Sequence, residues 1–407
     1  MTVYLAFLLH IYQPPTQKAK VLKQVIKESY EPLFATLLNY TSTKLTFNIN
    51  GSLLELLELY QEEGLLGDIR KAVFSGQIDL VGSSCYHAIL PLIPKEEIIR
   101  QIELNEKLHD RILGQGAIAS HGFWLPEMAY DHRVIEPLVE KNYAWSVLSS
   151  VALPTKELPQ NFIPTVNGSF STFFRNDLLS NFISFKHPTV ENFFNQMLKG
   201  KNVREDSYVI LAMDGETYGH HVKGLVEDFL APLISKVQDD PDVTFAKIAD
   251  LPALFKERRA VVPRSSSWST TEEDIQRGIP FPLWSDPNNH IHNLQLLVMN
   301  HTLHLVATAQ QYQKLKKFAQ EETIQQKFQN SRSWLDRGLH SCQLWWASKR
   351  PWYSAEMILE GLNQLILAAS EALKVILFTS EKEEEKKKAM AIFDEIFHAQ
   401  KEIYLTV

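Results

Sequence analysis

One alternation, repeated about seven times, constrains this chain more than any other feature. A short apolar run closes on polar groups and is followed by a stretch of helical spacing. Runs at residues 3–9, 45–49, 78–81, 117–120, 144–151, 170–175 and 207–213 read as strands, with a weaker one at 243–246. Strands separated by helical stretches predict a parallel α/β sheet, because a parallel neighbour needs a crossover that a helix supplies. The polar groups gather at one end of the runs: His10, Asn48, His87, Glu127 and Asp214. A parallel barrel brings those ends to one face, where its active site forms. A doubly wound sheet would bring them to a crevice.

The densest chemistry follows the run at 207–213. Asp214, Glu216, Tyr218, His220 and His221 fall within eight residues, with two glycines between them. Carboxylates and imidazoles are costly to bury unless paired, so such a cluster at the end of a buried strand points to a site. Glu127 ends a second such segment, Gly122-Phe123-Trp124-Leu125-Pro126-Glu127. Two carboxyls in different surroundings can divide the work of glycosidic cleavage, one protonating and one attacking. Trp345, Trp346 and Trp352 lie close together in the helical part, and flat aromatics suit either packing or sugar rings.

Several classes are excluded. A net charge of −7 argues against a general nucleic-acid partner. Two cysteines, Cys85 and Cys342, build no disulfide framework and fit a reducing, cytoplasmic setting. The first apolar run is too short for a membrane span, and no other long apolar stretch is read, so no membrane partner is expected. No glycine-rich dinucleotide or phosphate motif occurs, so no cofactor is expected. His10, His87, His121, His220 and His221 with Asp214 leave one rival open: a zinc-dependent hydrolase or deacetylase. A non-catalytic carbohydrate-binding protein is the other alternative.

The motifs resemble those of glycoside hydrolase family 57. His10-Ile11-Tyr12-Gln13-Pro14 is similar to its first motif. Gly76-Gln77-Ile78-Asp79-Leu80-Val81, with Tyr86-His87, is similar to the second, although Asp79 stands where many members have Glu. The segments ending at Glu127 and spanning Met213–His220 resemble the third and fourth. The resemblance implies an incomplete (β/α)7 barrel over residues 1–262. It also implies a loop region and helical domain over 263–407 that contributes to the cleft. It implies a retaining α-amylase-like hydrolase or glucanotransferase acting on α-glucans or oligosaccharides, without metal, with Glu127 as nucleophile and Asp214 as general acid/base. His10, Gln13, Asp79, His87, Glu216 and His220 are then expected to bind substrate, and Trp124, Trp284 and Trp346 to shape the cleft.

Overall fold

The computed structural model describes residues 2–155, 157–199, 205–315 and 321–407. The chain divides into two compact units, Met1–Trp268 and Ser269–Val407, so the division falls a few residues beyond the expected position.

The first unit carries ten strands among its described residues: β1 (Val3–Ile11), β2 (Leu45–Ile49), β3 (Ile78–Leu80), β4 (Gly122–Phe123), β5 (Trp145–Leu148), β6 (Ile163–Val166), β7 (Phe170–Phe174), β8 (Ser207–Asp214), β9 (Val243–Phe245) and β10 (Arg258–Ala260). One sheet runs β3-β2-β1-β8, with β9 also on β1; the other runs β10-β6-β7-β5-β4. Every pairing is parallel except β6–β7. The sheets are joined at both edges. Gly82 bridges Phe123 in parallel, and the Asn176 N–H donates to the Ile210 carbonyl at 2.7 Å. The circuit β1-β2-β3-β4-β5-β7-β8 is the expected incomplete (β/α)7 arrangement.

Period-two alternation decides what faces inward. Leu5, Phe7, Leu9, Val209, Leu211 and Met213 pack with the surrounding helices. Ala6, Leu8, Tyr208, Ile210 and Ala212 pack with Val81, Trp124, Trp145, Val147 and Phe173 in an inner cluster. The next inward residues on β1 and β8 are His10 and Asp214, which the register sets side by side. Helices cover one face of β8 and the inner cluster the other, which explains why β8 reads as a nearly unbroken apolar run.

The structure differs from the sequence reading in several places. The fourth strand lies at Gly122–Phe123, not at 117–120, because Trp145 fills the inner space there. A Cβ on Gly122 would stand 2.1 Å from the Trp145 indole. β6 was missed, although Asn167-Gly168 carries the signal: both residues have positive φ, as a tight hairpin turn requires. Asn50 takes the N-cap position of the helix Gly51–Leu59, and Ser52 Oγ donates to the Gln13 carbonyl at 2.9 Å. Pro32 lies within a continuous helical stretch. The chain passes from Ala19–Val25 through a π turn at Ile26–Tyr30 into Glu31–Asn39. A second π turn, Val226–Leu230, precedes Pro232 in the same way. In each case the wider turn accommodates a proline that lacks the helical N–H.

The second unit is helical. Helices His290–Gln313, Glu322–Gly338 and Glu383–Thr406 all pack on Ala355–Thr379. That last helix is long and apolar enough to cross a membrane by length and composition, a stretch the sequence reading passed over. Here its buried residues, Ile358, Leu362, Leu365, Ala369, Ala372 and Ile376, recur at helical spacing and form the centre of the bundle. The charge run opens the final helix with Glu383, Glu384 and Glu385 in its first turn, where the helix dipole favours acids.

Candidate active site

The site is built where the inward faces of the strands end. His10 pairs in register with Asp214 on one side and Asn48 on the other. His10 Nδ1–H donates to Asn48 Oδ1 at 2.7 Å, which leaves Nε2 as the lone-pair nitrogen. Burial lowers the imidazole to about 4, so it is neutral at pH 7. Its ring stacks at 4.9 Å on both Trp124 and His87, and His87 stacks on Tyr12 at 4.0 Å. Four nearly parallel rings thus form a pile from buried Trp124 to half-buried Tyr12.

Glu127 stands against this pile. Its backbone is in the left-handed region (φ 58°, ψ 18°), as is that of Met128 (φ 48°). Such conformations cost on the order of 1 kcal/mol each in a non-glycine residue and persist only where surroundings impose them. Here a short antiparallel bridge imposes them. Tyr130 and Ser266 exchange backbone bonds of 2.8 and 3.1 Å, and the Trp268 N–H donates to the Glu127 carbonyl at 3.1 Å. Trp268 Nε1 also donates to Glu127 Oε2 at 2.8 Å, and His87 Nδ1 lies 3.8 Å from Oε1.

The electrostatics single out the same pair. Burial, then the charge of Asp214, pushes Glu127 up to about 8, against the Trp268 hydrogen bond. Burial also raises Asp214, and the Arg175 guanidinium pulls it back. Of the pair, Glu127 therefore holds its proton to higher pH than Asp214. Two coupled carboxyls holding one proton are what an acid and a nucleophile need.

The other expected residues divide. Gln13 and Glu216 are buried and turned towards each other. Glu216 Oε1 accepts from Gln13 Nε2 at 3.2 Å, from the Tyr12 N–H at 3.3 Å and from the Tyr30 hydroxyl. Their contacts make them a support beneath the site rather than a surface for sugar. Burial and the Asp214 charge raise Glu216 as well. His220 Nδ1 meets Glu28 Oε2 at 2.7 Å, on the π turn. Asp79 faces inward but pairs with Thr46, two residues short of the layer of Asn48. Its neighbours are Ser120, Lys247 and Asp250, which places it towards the N-terminal end of the barrel, away from the carboxyl pair. Trp124 is fully buried under His10, so it supports the site without offering a face. Trp284 and Trp346 belong to the second unit. Trp284 is fully buried; Trp346 is half-buried and meets Trp345 edge-on at 4.7 Å.

Trp268, Arg175 and Tyr12 were missed by the sequence reading. Arg175 had a signal, since it continues the inward alternation of Phe173. Among the described residues no three of His, Cys, Asp or Glu stand close enough to hold a metal ion.

Comparison with known proteins identifies the family. Residues 7–263 match the model of glycosyl hydrolase family 57. An α-amylase of Pyrococcus horikoshii is 31% identical over 143 residues, 35% of this chain and 22% of that protein. A 4-α-glucanotransferase of Thermococcus kodakarensis is 33% identical over 132 residues, 32% of this chain and 19% of that protein. The matches thus span a minor part of these relatives' lengths. A branching enzyme structure from Pyrococcus horikoshii superposes with TM-score 0.71 at 15% identity, covering 96% of this chain and 94% of that one. A maltose-forming amylase structure from Pyrococcus sp. ST04 gives 0.73 at 14%, covering 97% and 83%. At such identity the likeness shows the fold. With the family model matched over more than half its length, the chain belongs to glycosyl hydrolase family 57.

Proposed function

We propose that the protein is a retaining glycoside hydrolase or transglycosylase acting on α-glucans, with Glu127 as nucleophile and Asp214 as general acid/base. The observation that carries this reading is the coupled pair itself. Two half-buried carboxyls come from different strand ends. The Asp214 charge raises Glu127, which an indole N–H holds, and a guanidinium draws Asp214 down. In the first half-reaction Glu127 attacks the anomeric carbon as Asp214 protonates the departing oxygen. In the second, Asp214 takes a proton from water or from an acceptor sugar hydroxyl, and the glycosyl–Glu127 bond breaks. Neutral His10 and the partly exposed Tyr12 offer hydrogen bonds and a ring face to the bound sugar. The likeness to amylases and glucanotransferases supports the substrate class.

One observation favours a second reading with the roles exchanged: Glu127 holds its proton to higher pH than Asp214, as a resting general acid would. The two readings separate by azide rescue on an aryl α-maltooligoside. A variant lacking the nucleophile releases the β-glycosyl azide, and one lacking the acid/base releases the α-anomer. Glu127→Ala giving the β product and Asp214→Ala the α product is expected; the reverse pairing exchanges the roles. No turnover of maltooligosaccharides by the wild type would sink both readings. Longer as well as shorter products would mark a transferase.

A further inference from the structure

We infer that Arg175 is a positioning residue for the reaction: its fixed guanidinium supplies the positive charge against which the Asp214 carboxyl works. This rests on the reading of Asp214 as a reacting group and extends it. Inward alternation on β7 runs through Phe173 to Arg175, just past the strand's end and at the seam with β8. Arg175 is 5% exposed. Its planar fork is held on three sides: Nε donates to the Ala212 carbonyl at 2.6 Å, Nη1 to Asp177 Oδ1 at 2.6 Å and Nη2 to Asn181 Oδ1 at 2.9 Å. Ala212 precedes Asp214 by one inward step of the same strand, about 7 Å. The guanidinium is therefore anchored to the backbone that carries Asp214.

Asp177 pairs with Nη1 and opposes part of this charge. Its Oδ2 is held by Ser149 Oγ at 2.7 Å, by the Ser150 N–H at 2.9 Å and by the Ser150 hydroxyl, and the guanidinium still draws the Asp214 carboxyl down. Arg175 also lies 6.0 Å from the Trp268 ring, the residue that fixes Glu127. One cation thus lies near Asp214 and near the indole that holds Glu127. The ionisable groups around Asp214 are His10 on β1, Glu127 after β4, Arg175 after β7, Glu216 beyond β8 and Tyr30 on the π turn. Arg175 is the one that favours the carboxylate. An acid/base that must both give and take a proton works best with a pKa near the operating pH. Burial raises the Asp214 carboxyl, and Arg175 draws it back.

The test is a carboxyl-stretch infrared titration of the whole chain, with Asp214→Asn identifying the Asp214 band, run alongside the pH dependence of kcat/KM on maltooligosaccharides. Arg175→Met is expected to move the Asp214 midpoint up by about one pH unit. Arg175→Lys, which restores the charge, is expected to recover most of that shift. Asp177→Asn, which removes the competing anion, should move the midpoint down. A folded Arg175→Met variant with an unmoved midpoint overturns the proposal. If that variant does not fold, Asp177→Asn decides, and a midpoint that stays or rises overturns it. In kcat/KM one limb of the pH profile should move with the midpoint; a merely structural role would lower activity without moving either limb and so overturns the proposal. Absence of wild-type turnover would remove the functional reading, while the titration would still decide the role of Arg175 at Asp214.

Discussion

Trp268 holds Glu127 twice: its indole N–H reaches Oε2 at 2.8 Å, and its backbone N–H reaches the Glu127 carbonyl at 3.1 Å. The second bond keeps the strained backbone in place, and the first aims the side chain. Trp268→Phe preserves the ring and the backbone bond and removes only the indole donor. A hydrogen bond to a charged group contributes about 1.5–3 kcal/mol. We therefore expect kcat to fall roughly tenfold to a hundredfold, with the melting temperature little changed. An unchanged kcat would detach Trp268 from the chemistry.

The π turn before Pro32 presents the Glu28 carbonyl to Gly219, whose φ is +118°. A Cβ on Gly219 would stand 1.8 Å from that carbonyl oxygen. The turn also sends the Ser29 hydroxyl to the Gly215 carbonyl at 2.9 Å and the Tyr30 hydroxyl to Glu216. It therefore clamps the segment following Asp214. Gly219→Ala should cost more than about 3 kcal/mol, since backbone must move as well as twist. Gly76→Ala is the control: its φ is +76° but nothing lies within 4 Å, so only the conformational cost of about 1 kcal/mol applies. Urea unfolding of both variants checks this, and equal losses would refute the close-approach argument.

That His10 and Asp214 close their strands is legible, because each ends an apolar run. Which face of those runs turns inward is not, since both faces are apolar; only the packing separates them. Once the inward face is known, a period of two carries Phe173 to Arg175. Trp268 had no such signal. It lies in a serine-rich loop, and its place is set by the bridge between Ser266 and Tyr130, a pairing distant in the chain. Gln13 and Glu216 sit in motifs recognised as functional, yet sequence does not show that they satisfy each other. With Asp79 the face was inward and the depth was not, since depth depends on register.

Asp79→Asn follows from that depth. Its carboxyl lies among Ser120, Lys247 and Asp250, and burial raises its pKa. Removing the charge should leave kcat/KM within about twofold of wild type, because binding groups of such barrels lie at the opposite end. A loss of a hundredfold or more in a folded variant would return Asp79 to the substrate site.

The raised carboxyls also predict how stability varies with pH. Glu127 rises from 4.5 to about 8 on folding, so the folded chain holds a proton that the unfolded chain has released across that window. Its stabilising share is complete below about 4.5 and is lost as the pH climbs through about 8. Asp214 and Glu216 are raised in the same sense and steepen the decline. Glu127→Gln keeps the shape, removes the titration and relieves the repulsion on Asp214. The wild type should therefore lose stability between pH 5 and pH 8 by on the order of a few kcal/mol more than the variant does. Urea denaturation of both proteins at pH 5, 6.5 and 8 measures the difference. Parallel curves would mean that Glu127 titrates in the ordinary carboxylate range, and the shared-proton account of the site would fall with it.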